Sequence, residues 1–287
     1  MFFEQGEQVG MQRLLGVNTI TGVLLLALLG GCTQRESATD AAVAPAADVA
    51  ATPTPQPASG GPLQDVIEHS PAYMVGISYP QGLDAYPELG ALIRGYAQDA
   101  RGELMQAVSG LGNDKPAAPY ELSLAFETLL QTPELIVVAA DGSRYTGGAH
   151  GEPLVARFVW LVKERRQLTA QALIPSPSGW EKIGGEVAAQ LHAAAQQRVV
   201  AERVPVEQQA EQVASADRMI AEGTEAQAGN FAQFVPVLNA SGQIAALRFV
   251  FPPYQVGPYS DGTQTADVTT ATLRAWVAPE YVHLFAR

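Results

Sequence analysis

Cysteine is nearly missing from this chain. Cys32 is the only one in 287 residues, so no intramolecular disulfide can staple the fold. A chain of this length can be stable on its core alone. Basic residues are also scarce: 17 Lys and Arg stand against 29 Asp and Glu, a formal charge of −12. That balance argues against nucleic acid, whose phosphates call for Lys/Arg patches, and against electrostatic docking on anionic lipid. The four histidines, His69, His150, His192 and His283, are scattered. With the cysteine single, no spacing resembles a metal site, and neither metal nor cofactor is expected. No Gly-x-Ser-x-Gly elbow is present, so the strained turn that presents a serine nucleophile is missing. Catalysis is therefore not expected.

What is present begins with an export pattern. Met11-Gln12-Arg13 is a short positive stretch, and Leu14 to Leu29 is apolar except for Asn18, Thr19 and Thr21. This is the layout of a signal peptide, and the run is shorter than the roughly 20 apolar residues of a membrane-spanning helix. Met1 to Gly10 is acidic and unlike such a start, which leaves Met11 as an alternative first residue. The run ends in Leu29-Gly30-Gly31-Cys32, which resembles the lipobox of bacterial lipoproteins. The resemblance implies cleavage at residue 32, lipidation of Cys32 and anchoring in a membrane of the cell envelope on the periplasmic side. Thr33, where an Asp would retain such a protein in the inner membrane, resembles an outer-membrane sorting signal. Residues 33–62 are rich in Ala, Pro, Thr and Ser and read as a disordered tether with a reach of about 30 Å.

The remainder reads as an α+β fold, with antiparallel sheets and packed helices in two sequential units, 63–145 and 146–287. Tyr73 to Tyr79 is expected to be a strand. Pro87 opens a helix whose apolar stripe runs Leu89, Ile93, Tyr96, Ala100, Leu104, Ala107 and Leu111. Tyr120 to Leu130 alternates as a half-buried strand, and Leu135 to Ala140 is a continuous apolar strand that leads on to Tyr145. The second unit opens with a strand from Leu154 to Val162. A solvated turn at Lys163-Glu164-Arg165-Arg166 and a short helix capped by Thr169 follow. One helix is marked by Trp180, Ile183, Val187, Leu191 and Ala194, another by Val206, Ala210, Val213 and Ile220. Phe231 to Leu238 and Ile244 to Phe251 form a hairpin over Asn239–Gly242. Trp160, Trp180 and Trp276 fall within the periodic patterns and are expected in the core.

Two stretches stand apart. Tyr145-Thr146-Gly147-Gly148-Ala149-His150-Gly151 sets an imidazole among three glycines, which permit positive φ or the close approach of another segment. Phe249 to Tyr259 is dense in aromatics and prolines and is expected to pack near the first stretch. The binding candidates are Tyr145, His150, Tyr254 and Tyr259. Gly147, Gly148 and Gly151 are expected to shape the loop, with the imidazole bonding across it and pinning its form. An Asp141/Ser143/His150 catalytic cluster would need a nucleophile–base hydrogen bond. Asp261, in Ser260-Asp261-Gly262-Thr263, reads as a turn rather than a calcium loop.

Those stretches also carry a resemblance. Tyr145–Gly151, Arg165-Arg166-Gln167-Leu168-Thr169, and Pro253-Tyr254 followed by Tyr259 resemble motifs of the RsiV-like family. These are paired domains of unknown function in the extracytoplasmic part of lysozyme-sensing anti-sigma factors. They also occur beside peptidoglycan deacetylase domains and in bacterial lipoproteins. The resemblance runs from about Tyr73 onward. It implies a binding or sensing module for a lysozyme-like protein or a cell-wall fragment. No sigma-binding segment or deacetylase domain accompanies the motifs here, so neither of those activities is implied. The rival expectation is an envelope-polymer hydrolase or deacetylase-associated domain that uses the His150 loop, and a purely structural envelope protein is the third.

Overall fold

Residues 61–287 are described by a computed structural model. Cys32, the signal-peptide pattern and the tether up to residue 60 lie outside the described residues. The fold is α+β. Its larger sheet is a six-stranded ribbon in sequence order, made of β1 (Val66–His69), β2 (Tyr73–Ser78), β3 (Tyr120–Gln131), β4 (Leu135–Tyr145), β5 (Glu152–Leu161) and β6 (Arg166–Gln167). All neighbours are antiparallel except β2 and β3. That pair is parallel because a long helix, α1 (Pro87–Gly110), crosses between the two strands, and a parallel pair needs such a crossover. Pro87 opens α1, as its fixed φ allows. Leu89, Ile93, Ala97, Ala100 and Leu104 are its buried stripe.

β4 explains how the two halves share one body. Its first six residues are all buried. Ile136, Val138 and Ala140 pack with α1 and Phe126, whereas Leu135 and Val137 face a second core. A strand covered on both faces reads as an unbroken apolar run, which is how this segment reads in the sequence. The division expected at residue 145 falls at the end of β4, and β5, beyond it, pairs with β4 along its whole length. The sheet thus runs across that position, and the glycine stretch is a hairpin connection rather than a linker.

The second core lies under a three-stranded sheet, β7 (Phe234–Leu238), β8 (Ile244–Phe251) and β9 (Gln264–Thr269), in antiparallel order. A short helix α2 (Ala170–Leu173) precedes it, with the Thr169 hydroxyl accepting from the Ala172 amide. Then come α3 (Pro177–Ala201) and α4 (Val206–Gly223), and α5 (Thr270–Leu273) follows β9. Trp180 stacks on Phe231 at 5.1 Å, and Phe231 meets Phe249 edge-on at 5.2 Å. The buried indole N–H of Trp180 donates to the Ile174 carbonyl, the partner such a group requires. Trp160 lies in the first core and Trp276 is only partly buried against the second. Gln190 on α3 bonds both the N–H and the C=O of Asp267, so a side-chain amide closes the outer edge of β9 where a further strand would pair.

Three sequence expectations shift in detail. The run expected to start a strand at Phe231 begins as a 3-10 turn over Ala228–Phe231, which turns the Phe231 ring onto Trp180. Ala195, not Ala194, completes the buried stripe of α3, as the helical period requires four residues after Leu191. In α4 only Ile220 and Gly223 are buried, and Val206 is 81% exposed. The apolar pattern there is real, but most of it has no cover among the described residues.

Candidate functional site

Two connections build the site. The first joins β4 to β5 and carries His150; the second joins β8 to β9 and carries Tyr254 and Tyr259. In the first, Gly147 and Gly148 stand at φ 103° and 97°, a region that side chains avoid. Gly151 serves differently. Its φ is not positive, but a Cβ there would sit 3.2 Å from the Ser143 Cβ and 3.4 Å from the Arg144 carbonyl oxygen. The Tyr145 hydroxyl donates to the Gly148 carbonyl at 3.2 Å, which braces the loop from within.

The second connection is a tight turn with an unusual occupant. The Gln255 amide donates to the Pro252 carbonyl at 3.1 Å, closing a turn with Pro253 and Tyr254 at its centre. Tyr254 has φ 74°, at the position where glycine is usual in a type II turn. An L-residue held there is strained by about 1–2 kcal/mol. The anchoring lies beneath it. The Gln255 side-chain amide donates to the carbonyls of Gly223 (3.0 Å) and Asn230 (2.8 Å), and Val256 is buried. Tyr259 opens a 3-10 turn to Asp261, and the Asp261 carboxylate is bound by Arg198 of α3.

The two connections meet at the imidazole. His150 stacks on Tyr259 with ring centres 4.0 Å apart and planes 10° from parallel. Its Nε2 lies 2.6 Å from the Tyr254 hydroxyl and its Nδ1 3.2 Å from the Gly151 carbonyl oxygen. A carbonyl only accepts, so Nδ1 carries the proton of the neutral ring and Nε2 accepts from the tyrosine. The imidazole therefore does not simply pin its own loop, as the sequence suggested; it ties that loop to the other one. Tyr254 is 50% exposed and Tyr259 38% exposed, and His150 is exposed as well. One face of Tyr259 is covered by the imidazole, so its exposure lies in the other face and the edge.

Beside the rings is a shallow cleft of about 230 Å³ lined by Arg144, Thr146, His150, Glu152 and Tyr254. Nothing in the sequence marks Arg144 and Glu152, since lone charges beside a motif carry no spacing signal. The Arg144 guanidinium is held between the carboxylates of Glu103 and Glu152. The cleft carboxylate thus faces an arginine. Asp141 pairs with Arg157, so Asp141, Ser143 and His150 form no catalytic chain. Asp261 sits in a turn bonded to Arg198. No group of three or more His, Cys, Asp or Glu among the described residues is placed to hold a metal ion.

Of the four binding candidates, the structure brings His150, Tyr254 and Tyr259 into one cluster, while Tyr145 braces the glycine loop. No family model matches the sequence, and no curated protein matches it. Among solved structures, the chain is similar to a DUF3298 family protein from Pseudomonas aeruginosa PAO1, at 15% identity and a TM-score of 0.48, over 79% of this chain and 99% of that one. It is also similar to a member of the same family from Bacteroides fragilis NCTC 9343, at 13% identity and a TM-score of 0.46, over 76% of this chain and 94% of that one.

Proposed function

We propose that the folded part is a recognition module of the bacterial cell envelope, held to a membrane by lipid on Cys32, and that His150, Tyr254 and Tyr259 form its contact surface. The finer reading is an RsiV-like sensor whose ligand is a lysozyme-like protein or a cell-wall fragment. The observation that carries the proposal is the exposed aromatic cluster. Tyrosine rings half open to solvent, fixed by a stack and a hydrogen bond, offer large contact area at low entropic cost. One of them is also held in strained backbone, and strain of this kind collects at functional sites. The hydrolase alternative draws less support, because the imidazole bonds a carbonyl and a phenol, while the nearby carboxylate is engaged by Arg144.

The test is retention of the full-length protein on peptidoglycan sacculi and on immobilised lysozyme, with a Tyr254→Ala/Tyr259→Ala double variant beside it. The unaltered protein is expected to be held by one of the two. The double variant should lose about thirtyfold in affinity, as contact residues of this kind do. Retention by neither, or equal retention of the double variant, would defeat the proposal. Palmitate labelling that disappears in Cys32→Ala is the expected outcome for the anchor; labelling that persists would remove it.

A further inference from the structure

The turn that presents Tyr259 has a second side. Pro258, Ser260 and Asp261 line a cleft of about 360 Å³ against α3 and α4, within the size range of small-ligand sites. We propose that this cleft, beside the turn that carries Tyr259, binds a neutral oligosaccharide; the proposal rests on the reading of the aromatic cluster as the recognition surface.

The lining has two chemistries. Val199, Ala216 and Met219 supply apolar surface, and Glu202, Gln212 and Ser215 supply polar groups at the rim. Among the described residues those three polar side chains have no hydrogen-bond partner, so their donors and acceptors remain free for a ligand. A sugar ring is apolar on its faces and rich in hydroxyls around its edge, and that pattern fits a wall of aliphatic carbon rimmed by amide, carboxylate and hydroxyl.

Charge decides which sugars. The Arg198 guanidinium is taken up by Asp261 and by the Gln264 side-chain oxygen. Glu202 is then the cleft charge without a partner, on a chain of formal charge −12. Uronate, phosphate and other anionic ligands are repelled there.

Backbone chemistry separates a sugar from a peptide. An extended peptide binds by adding to a strand edge, and an amphipathic helix needs an apolar groove. This cleft is walled by two helices, whose backbone groups are mostly bonded internally, and by a 3-10 turn, and its rim is polar. It offers neither a strand edge nor an apolar groove.

The experiment uses the full-length protein in detergent. N-acetylglucosamine tetramer and cellotetraose are presented in saturation-transfer NMR and calorimetric titration, with tetragalacturonate as the anionic comparator. Ser215→Trp fills the cleft from an exposed helix position, and Gln212→Ala and Glu202→Ala remove rim groups; circular dichroism and melting confirm that each folds. One neutral tetrasaccharide is expected to bind and tetragalacturonate not to. Ser215→Trp should abolish binding, and each rim variant should weaken it about fivefold, the loss from one ligand hydrogen bond. No binding by either neutral sugar, or binding that Ser215→Trp and both rim variants leave unchanged, overturns the proposal. If sacculi or lysozyme retention still depends on Tyr254 while the cleft variants are silent, the cleft falls and the aromatic surface stands. If the Tyr254→Ala/Tyr259→Ala double variant is silent too, both fall.

Discussion

The Tyr254 hydroxyl donates to His150 Nε2 at 2.6 Å, across 104 positions of sequence. Each residue comes from a hairpin of a different sheet, and both side chains are exposed. Polar contacts between exposed side chains contribute little to stability, because water competes for both partners. The arrangement thus holds a surface in shape more than it holds the fold together. Stability and recognition are separable at this point, and the variants below use that.

Tyr254→Gly removes the ring and relieves φ 74° in the same step. The relief is about 1 kcal/mol, and the lost hydrogen bond is solvent-exposed, so stability should hold or rise. For a domain of this size the thermal midpoint is expected to increase by about 2–4 °C, while retention on the ligand falls as far as it does for Tyr254→Ala. Calorimetric melting measures the first and the retention assay the second. A clear fall in melting temperature would mean that the ring supports the fold rather than the surface.

Gly223→Ala should disturb the site from below. A Cβ at residue 223 would lie 2.1 Å from the Gln255 carbonyl oxygen and 2.8 Å from the Val256 Cγ1, and backbone cannot yield cheaply. A cost of about 1–3 kcal/mol is expected, together with loosening of the turn that places Tyr254. Denaturant midpoints report the first effect. The His150 ring proton shifts, set by the stacked Tyr259, report the second. Gly102→Ala is the contrast: it is an exposed position inside α1 with nothing within 4 Å of the added atom, so helix propensity should raise stability by about 0.5–1 kcal/mol. Equal behaviour of the two variants would contradict the close-approach reading of Gly223.

Much of this fold is legible in the sequence, because its elements bury one face at a time. The stripe of α1, the alternation of β3 and the unbroken run of β4 each state their burial through their period. The fate of α4 was not legible, since periodicity marks an apolar face without saying what covers it. Nor was the division at residue 145: Gly147 and Gly148 signal a turn equally well between units or within a hairpin. The aromatic cluster was half legible. Its members stand in two unusual stretches, but the stack of His150 on Tyr259 depends on two loops from two sheets, which no local pattern encodes. The cleft beside Tyr259 left no trace, because Arg198, Gln212 and Ser215 are ordinary surface residues of two helices until the turn closes over them.

Alkaline pH should destabilise the first core through two tyrosines. Burial pushes the Tyr79 and Tyr96 hydroxyls above the ordinary value of 10.0, with Asp65 adding to the rise at Tyr79 and Asp141 at Tyr96. Their rings pack against phenylalanines of that core, Tyr79 stacked 5.0 Å from Phe126 and Tyr96 edge-on to Phe158 at 5.6 Å. In the unfolded chain both groups titrate near 10, so the folded state favours the protonated phenol. A group whose folded value is raised contributes stability that is complete below the unfolded value and is lost as pH rises through the folded one. Unfolding free energy should therefore be insensitive to these residues at neutral pH and fall above about pH 10. Tyr79→Phe and Tyr96→Phe remove the ionisation and should flatten that fall. Phenolate absorbance followed against pH should show a late-ionising component above the ordinary tyrosine value, and Tyr79→Phe and Tyr96→Phe should each remove part of it. If all tyrosines of the folded protein ionise together near the ordinary value, burial is not protecting these rings and the predicted alkaline loss of stability has no source.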